Sequence, residues 1–354
     1  MDERNSITGM LGYLTLPGFC VQNHKITALN AAAEAMMLSL DSDISELLLT
    51  GREEYAAFTD GCLYLTLSVG GQPLGASVTC IGDAHLFVLE QEQDRQEFHS
   101  MALAARELRE PLGKIMVTAD RLLPLTAENP DPQLKAQIAR LNRGLYQMLR
   151  ILGNMSDVCG HTATQEVCDV NALLEEICTN SAELMLHAGI SLTYHGLSTP
   201  VYTLADREQL ERAVLNMLSN ALKFTPEGGT VEVRLTRKGK MLSLSVLDSG
   251  SSIDSSILKT LFSRYQRKPA IEDSRFGIGL GMVLIRNAAT QHGGTVLVDQ
   301  PGPTGTRITM TLAIRQSSGV QLRSPVLRVD YAGERDHSLL EFSETLPPSL
   351  YAKE

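Results

Sequence analysis

Two amides and an ammonium group follow one edge of a predicted helix in the second half of the chain. Asn216, Asn220 and Lys223 are spaced i, i+4 and i+7, so their side chains stack along one side of that helix. Amide oxygens are hard acceptors that suit a hydrated divalent cation, and an ammonium group attracts phosphate oxygens. By itself this row is equally typical of a solvated polar face. Its interpretation therefore depends on the segments that follow it.

The helix that carries this row has a defined start and end. Asp206 is a favourable N-cap, and Gln209 follows three residues later, as in a capping box. Pro226 and the Gly228–Gly229 pair predict the end of the helix. The apolar positions recur at helical spacing and comprise Leu210, Val214, Met217, Leu218 and Ala221. The pattern predicts one buried face and one polar face.

Four segments complete the pattern in a fixed order. The row at Asn216 is followed by D-S-G-S-S-I from Asp248, L-F-S-R-Y-Q-R at 261–267, F-G-I-G-L-G-M at 276–282 and H-G-G at 292–294. Together they resemble the N, G1, F and G2 boxes of histidine kinases, whose ATP-binding domain has the Bergerat fold. The resemblance implies an α+β sandwich over residues 165–316, with helices on one face of a mixed sheet.

The resemblance also implies an ATP site with a magnesium ion. Asp248 would accept a hydrogen bond from the exocyclic amine of adenine, where guanine carries an acceptor instead. Phe224 would lie against the nucleotide and Thr306 beside adenine. Asn220 would hold Mg²⁺. The implied ATP-binding residues are Asn216, Asn220, Lys223, Phe224, Asp248, Gly250, Arg267, Gly277, Gly279, Leu280, Gly281 and Thr306.

The glycine-rich segment has a physical reason to bind phosphate. Gly277, Gly279 and Gly281 leave backbone N–H groups bare at the start of a predicted helix, where the helix dipole favours anions. Arg267 would lie near the phosphates, and residues 268–275 would form a lid over ATP.

Two positions depart from related ATPases. Ser252 stands where the G1 pattern usually has a second glycine, and a positive φ there would cost about 1–2 kcal/mol and weaken ATP binding about tenfold. Topoisomerase, mismatch-repair and heat-shock ATPases of this fold have a glutamate as general base four residues before the magnesium ligand. Asn216 occupies that position and cannot take a proton, which disfavours ATP hydrolysis as the function.

The preceding residues, 91–160, resemble the dimerisation and phosphoacceptor hairpin of the same family. Apolar residues recur every seven positions in a first helix and in a 4-3 alternation in a second, with a break predicted at Pro124 and the following N-P-D-P segment. The heptad positions are Met101, Leu108, Ile115 and Leu122, then Leu134, Ile138, Leu141, Leu145, Met148, Leu152 and Met155. A single apolar stripe on each helix would be half-exposed alone, so a homodimer through a four-helix bundle is expected. The alternative is a hairpin packed on its own neighbouring domains.

The phosphoacceptor motif itself is altered. The family pattern Ser-His-Glu-Leu-Arg-Thr-Pro-Leu aligns with A-R-E-L-R-E-P-L at 105–112, so Arg106 replaces the phosphoacceptor histidine and precedes a vestigial Glu107. A guanidinium group stays protonated and has no lone pair with which to attack a phosphate. Glu110 replaces the Thr or Asn that orients water for dephosphorylation of the response regulator, and its carboxylate would repel an aspartyl phosphate. His99, seven residues before Arg106, is an alternative acceptor.

The remaining segments are less informative. Residues 1–90 are expected to form a small α/β domain, and I-T-A-L-N-A-A-A-E-A-M resembles the start of a PAS sensor domain, where a strand ends in an Asn that opens a helix. The 317–354 extension has no family counterpart. Its V-L-R-V-D-Y-A segment predicts a strand and T-L-P-P-S-L-Y an extended end. Folding back on the ATP domain is favoured over binding a partner.

Composition excludes several classes of protein. The net charge of −10 argues against general nucleic-acid binding, and no apolar run approaches the ~20 residues of a membrane span. The six cysteines form no C-x-x-C pair, and the polar N-terminus predicts no secretory signal, so a cytoplasmic location is expected.

The sequence thus predicts a dimeric, histidine-kinase-like protein that binds Mg-ATP, lacks the usual acceptor and regulates two-component signalling. Its partner would be a response regulator or a related histidine kinase. The alternatives are an active kinase, through His99 or in trans onto a partner subunit, and a nucleotide-free scaffold.

Overall fold

A computed structural model describes residues 11, 13–90, 92–128, 132–158, 165–253, 261–262, 280–315 and 335–352. Within these ranges, no helix combines the length and the apolar character that crossing a membrane requires.

The N-terminal part is an antiparallel sheet with three short helices. Its strands are β1 (Gly18–Gln22), β2 (Lys25–Leu29), β3 (Cys62–Val69), β4 (Gln72–Ile81) and β5 (Ala84–Leu89), in the spatial order β2-β1-β5-β4-β3. The helices are α1 (Ala31–Ala35), α2 (Ile44–Leu47) and α3 (Arg52–Ala56). Helix α1 ends at Ala35, because Met37 adopts a positive φ of 63° and turns the chain. Gly75 lies within β4, where a Cβ would collide with the Tyr64 hydroxyl.

Asn30 joins the strands of this part to its first helix. It follows β2, and its Oδ1 accepts hydrogen bonds from the N–H groups of Gly18, at 3.1 Å, and Ala33, at 3.0 Å. Its amide group donates to the carbonyl oxygens of Leu14 and Leu16. One side chain therefore caps α1 and fixes the segment that precedes β1.

Two long antiparallel helices follow, α4 (Glu92–Glu128) and α5 (Pro132–Asp157). α4 continues through Pro124, since a proline removes a helical hydrogen bond without always ending the helix. It ends at Glu128, directly before the N-P-D-P segment, whose last residue Pro132 begins α5. Of the predicted heptad positions, Leu145 and Leu152 of α5 are buried in the core of the hairpin, whereas Leu108 and Ile115 of α4 are exposed. Ala105, Leu112, Met116 and Ala119 of α4 pack against Leu145, Leu149 and Leu152 of α5. The hairpin thus closes on one face and leaves a second apolar row open.

The C-terminal part is an α+β sandwich, as the resemblance implies. Its helices are α6 (Val170–Leu186), α7 (Arg207–Phe224) and α8 (Gly281–Gln291). They cover one face of a sheet formed by β11 (Val296–Asp299), β12 (Arg307–Ala313), β10 (Met241–Asp248), β9 (Thr230–Lys238) and β7 (Ser191–His195). β7 and β9 are parallel, and the short strands β6 (Glu166–Asp169) and β8 (Tyr202–Ala205) form a separate pair. Most of the L-F-S-R-Y-Q-R segment lies outside the described residues.

The N-terminal and C-terminal sheets are joined edge to edge. β3 pairs with β11 through Tyr64↔Val296, Leu63↔Leu297 and Cys62↔Val298, which makes one ten-stranded sheet. Gly61 permits this approach, because a Cβ there would collide with the carbonyl oxygen of Val298. Cys62 and Tyr64 consequently belong to the core of the C-terminal part. The sequence analysis did not anticipate this junction.

The C-terminal segment folds back between the hairpin and the sandwich. It contains α9 (His337–Glu341) and a 3₁₀ helix (Pro348–Ala352), where an extended end was expected. Phe342, Leu346 and Tyr351 are buried in the core of the C-terminal part, and Leu340 is buried in the core of the hairpin. The strand predicted in V-L-R-V-D-Y-A lies outside the described residues.

Candidate functional site

The start of α7 is fixed by two side chains. Asp206 caps the helix by accepting from the Gln209 N–H at 3.1 Å, and its own N–H donates to Nε2 of His292 at 3.0 Å. Nδ1 of His292 donates to the carbonyl oxygen of Ala288 at 2.7 Å, so the ring is neutral and of one tautomer. Burial lowers the pKa of His292, which favours this neutral form. His292, from the H-G-G motif, thus connects the start of α7 with the end of α8 through two hydrogen bonds. The motif alone does not predict this structural role.

The amide row of α7 faces the beginning of α8. Asn216 is buried and donates from Nδ2 to the carbonyl oxygen of Arg212 at 2.9 Å. Its Oδ1 lies 2.9 Å from the position that a Cβ on Gly281 would take, so a larger residue at Gly281 would displace it. Asn220 is half-buried and donates to the sulfur of Met282 at 3.6 Å. The amide row therefore lies beside the N-terminus of α8, which begins at Gly281. A helix N-terminus is where the phosphates of ATP would be expected to bind.

A second group of predicted residues meets at the end of β10. Oδ1 of Asp248 accepts hydrogen bonds from the N–H of Gly250, at 2.8 Å, and of Thr306, at 3.3 Å. Burial raises the pKa of the Asp248 carboxyl, partly offset by these backbone donors. Gly250 lies so close to Phe224 that a Cβ would collide with the Phe224 carbonyl oxygen. Asp248, Gly250, Phe224 and Thr306 are thereby brought together.

The chemistry of this group fits an adenine ring. The Thr306 hydroxyl is buried, and no described residue provides it with a hydrogen-bond partner. Such an orphaned group normally awaits a ligand or water. The buried carboxylate adds an acceptor for an exocyclic amine, and ATP is the group that both would hold.

Lys223 is held by the C-terminal segment. Its ammonium group forms an ion pair with Glu344 of the C-terminal segment, and only 7% of its side chain is exposed. Burial, together with nearby Arg150, lowers the pKa of Lys223. Its predicted role beside the phosphates stays a prediction.

Several predicted residues cannot be placed. Arg267, Gly277, Gly279 and the lid segment 268–275 lie outside the described residues. Among the residues that are described, no three His, Cys, Asp or Glu side chains form a metal-binding group, and a magnesium role for Asn220 stays a prediction. Leu280 is buried with Val158 and Val283, with Met101 of α4 packed beside them. The first turn of α8 thus contacts the hairpin.

The backbone at Ser252 does not have the positive φ that was expected to weaken ATP binding. Among the described non-glycine residues, a positive φ occurs only at Asn23, His24, Met37 and Asp41. Ser252 is exposed, and its hydroxyl donates to the carbonyl oxygen of Pro303 at 3.1 Å. The predicted strain is therefore absent.

The altered acceptor motif lies on the surface of α4. Arg106 and Glu107 are both exposed, one position after buried Ala105. Glu110 is exposed and forms an ion pair with Lys114 at 2.6 Å. His99 is also exposed, two residues before Met101.

Comparison with known proteins places these features in a family. Residues 205–316 match the family described as "Histidine kinase-, DNA gyrase B-, and HSP90-like ATPase". Sensor histidine kinase RppB of Synechocystis sp. is 28% identical over 233 residues, which are 64% of this chain and 51% of RppB. Histidine protein kinase DivJ of Caulobacter vibrioides is 37% identical over 110 residues, or 31% of this chain and 18% of DivJ.

The chain is thus similar to two-component sensor histidine kinases over about two thirds of its length. Its ATP-binding domain is of the GHKL type, as in the matched ATPases. Among solved structures it is similar to ShkA in complex with AMPPNP, at 21% identity and a TM-score of 0.49, over 62% of this chain and 47% of ShkA.

The matched relatives are longer than the matched region. The chain spans about half of RppB, 25% of the sensor protein KdpD of Clostridium acetobutylicum and 58% of the sensor-like histidine kinase SenX3 of Mycolicibacterium smegmatis.

Proposed function

We propose that this histidine-kinase-like protein binds Mg-ATP but does not phosphorylate itself at the usual acceptor position, and that it acts as a regulatory pseudokinase. The observation that carries the proposal is Arg106, which stands at the acceptor position on the exposed face of α4. A histidine accepts a phosphoryl group through the lone pair of a ring nitrogen. Arginine has no such lone pair at any accessible pH, and it cannot pass a proton to Glu107.

The adenine end of the ATP site supports nucleotide binding. Asp248 is held by two backbone donors at the end of β10, and the orphaned Thr306 hydroxyl lies beside it. Asn216 and Asn220 border the start of α8, where phosphates and Mg²⁺ would be held. Nucleotide binding would then alter the position of the hairpin, and the effect would be read out as partner binding.

The exposed apolar row of the hairpin supports a homodimer. Leu108 and Ile115 of α4 are 52% and 49% exposed, and Leu141 and Met148 of α5 are 45% and 48% exposed. Each belongs to the heptad pattern but lies outside the buried core of the hairpin. Closure of two such hairpins would cover both rows, as in a four-helix bundle. A Leu108→Glu variant should be monomeric by light scattering, whereas Leu186→Glu, at a 68% exposed site on α6, should leave the mass unchanged.

The N-terminal part supports a sensor role of the PAS-like type. Asn30 ends a strand and opens a helix, as in the segment that carried the resemblance. The partner of the whole protein would be a response regulator or a related histidine kinase. The affinity of the chain for a purified receiver domain, measured with and without ATP, tests this partnership.

The proposal is tested by radiolabelled phosphate transfer to the purified chain. With Mg-ATP alone, no acid-labile phosphate is expected on residues 91–160. Labelling of the hairpin would refute the pseudokinase proposal. A rise in melting temperature on addition of millimolar Mg-ATP is also expected, because a ligand that binds the folded state stabilises it. The absence of a rise would favour a nucleotide-free scaffold.

One observation favours a second candidate, an active kinase with a relocated acceptor. Met101 packs beside Leu280 at the start of α8, and exposed His99 is only two residues away on α4. His99 is therefore closer along α4 than Arg106 to the contact with the ATP domain. Labelling that disappears in His99→Ala but persists in Arg106→Ala would establish this alternative.

A further inference from the structure

The C-terminal segment places two carboxylates in a buried cluster of cations. Glu341 is fully buried, and its Oε2 accepts from Nε of Arg150 at 2.8 Å. Glu344 pairs with Nη1 of Arg150 at 2.9 Å and with the ammonium group of Lys223. Nη2 of Arg212 lies 3.8 Å from Oε1 of Glu341.

The cluster spans three parts of the molecule. Arg150 belongs to α5 of the hairpin, Arg212 and Lys223 to α7 of the ATP domain, and both glutamates to the C-terminal segment. Arg212 also donates to Oδ1 of hairpin residue Asn154 at 2.8 Å. The segment therefore ties the hairpin to the helix that carries the amide row.

Backbone contacts reinforce this attachment on the hairpin side. Arg143 donates to the carbonyl oxygens of Ser343 and Glu344, at 2.8 and 2.7 Å. Asn142 donates to the carbonyl oxygen of Tyr351 at 3.1 Å, and the rings of Tyr146 and Tyr351 pack edge to face at 5.2 Å. These contacts attach the segment to the hairpin in addition to the ion pairs of Glu344.

Lys223 cannot serve this cluster and a nucleotide at once. In the family pattern it would lie near the phosphates, yet its ammonium group is held by Glu344 with little exposure to solvent. Burial of Glu344 opposes ionisation, but Arg150 and Lys223 outweigh it and lower the Glu344 pKa, which favours the charged carboxylate beside Lys223. A phosphate that takes up Lys223 must displace a carboxylate from it.

We propose that the C-terminal segment 335–352 is an autoinhibitory brace, in which Glu344 competes with the phosphates of ATP for Lys223 while the segment holds the hairpin against the ATP domain. This inference rests on the proposed ATP site. Nucleotide binding frees Glu344 from Lys223 and loosens the segment. Because coupling between two sites is reciprocal, loosening of the segment strengthens ATP binding by the same factor.

The test is a Glu344→Gln variant in the full chain, with the affinity for Mg-ATP measured by calorimetry. Gln keeps the shape of the side chain but removes the charge that holds Lys223. The variant is expected to bind Mg-ATP about tenfold more tightly, within the usual 5- to 150-fold range of such coupling. Glu183→Gln, an exposed site on α6, is the matched control for the charge change and should match the unaltered chain.

Hydrogen exchange of the unaltered chain gives a second measurement that needs no variant. Amide hydrogens of residues 337–346 should exchange faster with saturating Mg-ATP than without it. Equal affinity of the Glu344→Gln variant and the unaltered chain, or unchanged exchange in residues 337–346, would overturn the brace while leaving the ATP site intact. Failure of both proteins to bind ATP would overturn the brace and the proposed ATP site together.

Discussion

The Asp248→Asn variant gives the sharpest test of the ATP site. Oδ1 of Asp248 accepts from the N–H groups of Gly250 and Thr306, which leaves the second oxygen for a ligand. In the variant, the amide oxygen keeps the two backbone donors, because an NH₂ group facing them would be repulsive. The NH₂ group must then face the base.

The magnitude follows from the bond that changes. Adenine presents an amine at this position, so a hydrogen bond to a charged acceptor becomes a contact between two donors. Hydrogen bonds to charged groups contribute about 1.5–3 kcal/mol, so ATP affinity should fall about 10- to 100-fold. Guanine presents an acceptor there, so the loss for GTP should be smaller and the preference for ATP should shrink.

The assay is competition of ATP and GTP against a fluorescent ATP analogue, with the variant and the unaltered chain. Melting temperature serves as the control, since the two backbone hydrogen bonds that hold the side chain are retained. An unchanged ratio of ATP to GTP affinity in a folded variant would refute the placement of adenine at Asp248.

Three further predictions follow from individual residues. Arg106→His alone should not restore normal function, because Glu110 would still repel an aspartyl phosphate; strong labelling with normal regulator dephosphorylation by that variant would contradict this. Ser252→Gly should leave the Kd for ATP within about threefold of the original by calorimetry, because Ser252 has no positive φ to relieve. His292 has a lowered pKa in the folded state, so the unfolded state takes up its proton first as the pH falls below about 6.5. The free energy of unfolding in urea should therefore decrease below that pH, by at most about 1.4 kcal/mol per pH unit from this group, and His292→Gln should flatten that decrease.

Local patterns predicted much of the C-terminal part. The capping residue Asp206 and the apolar spacing of α7 are encoded within a few residues of where they act. The grouping of Asp248 with Thr306 required the family resemblance, because the two residues are far apart in the chain and come together only when β10 pairs with β12.

Two long-range contacts were not predicted from the sequence. The pairing of β3 with β11 joins the edge strands of two sheets. Hydrophobic periodicity indicates which face of a strand is buried, but it does not indicate which strand lies beside it. The ion pair of Lys223 with Glu344 was missed for a similar reason. A lysine in a phosphate-binding pattern gives no sign that a carboxylate more than a hundred residues later will reach it.

The junction between the two sheets gives the N-terminal part a short path to the predicted ATP site. From β3, one step across the sheet reaches β11, and a second reaches β12, whose first residue Arg307 directly follows Thr306. A ligand of the N-terminal part that shifts β3 by a fraction of a strand spacing would therefore change the predicted adenine pocket through β11 and β12. This change would require no bending of α4 or α5. The sheet thus connects the N-terminal part with the predicted ATP site by a route that does not pass through the hairpin.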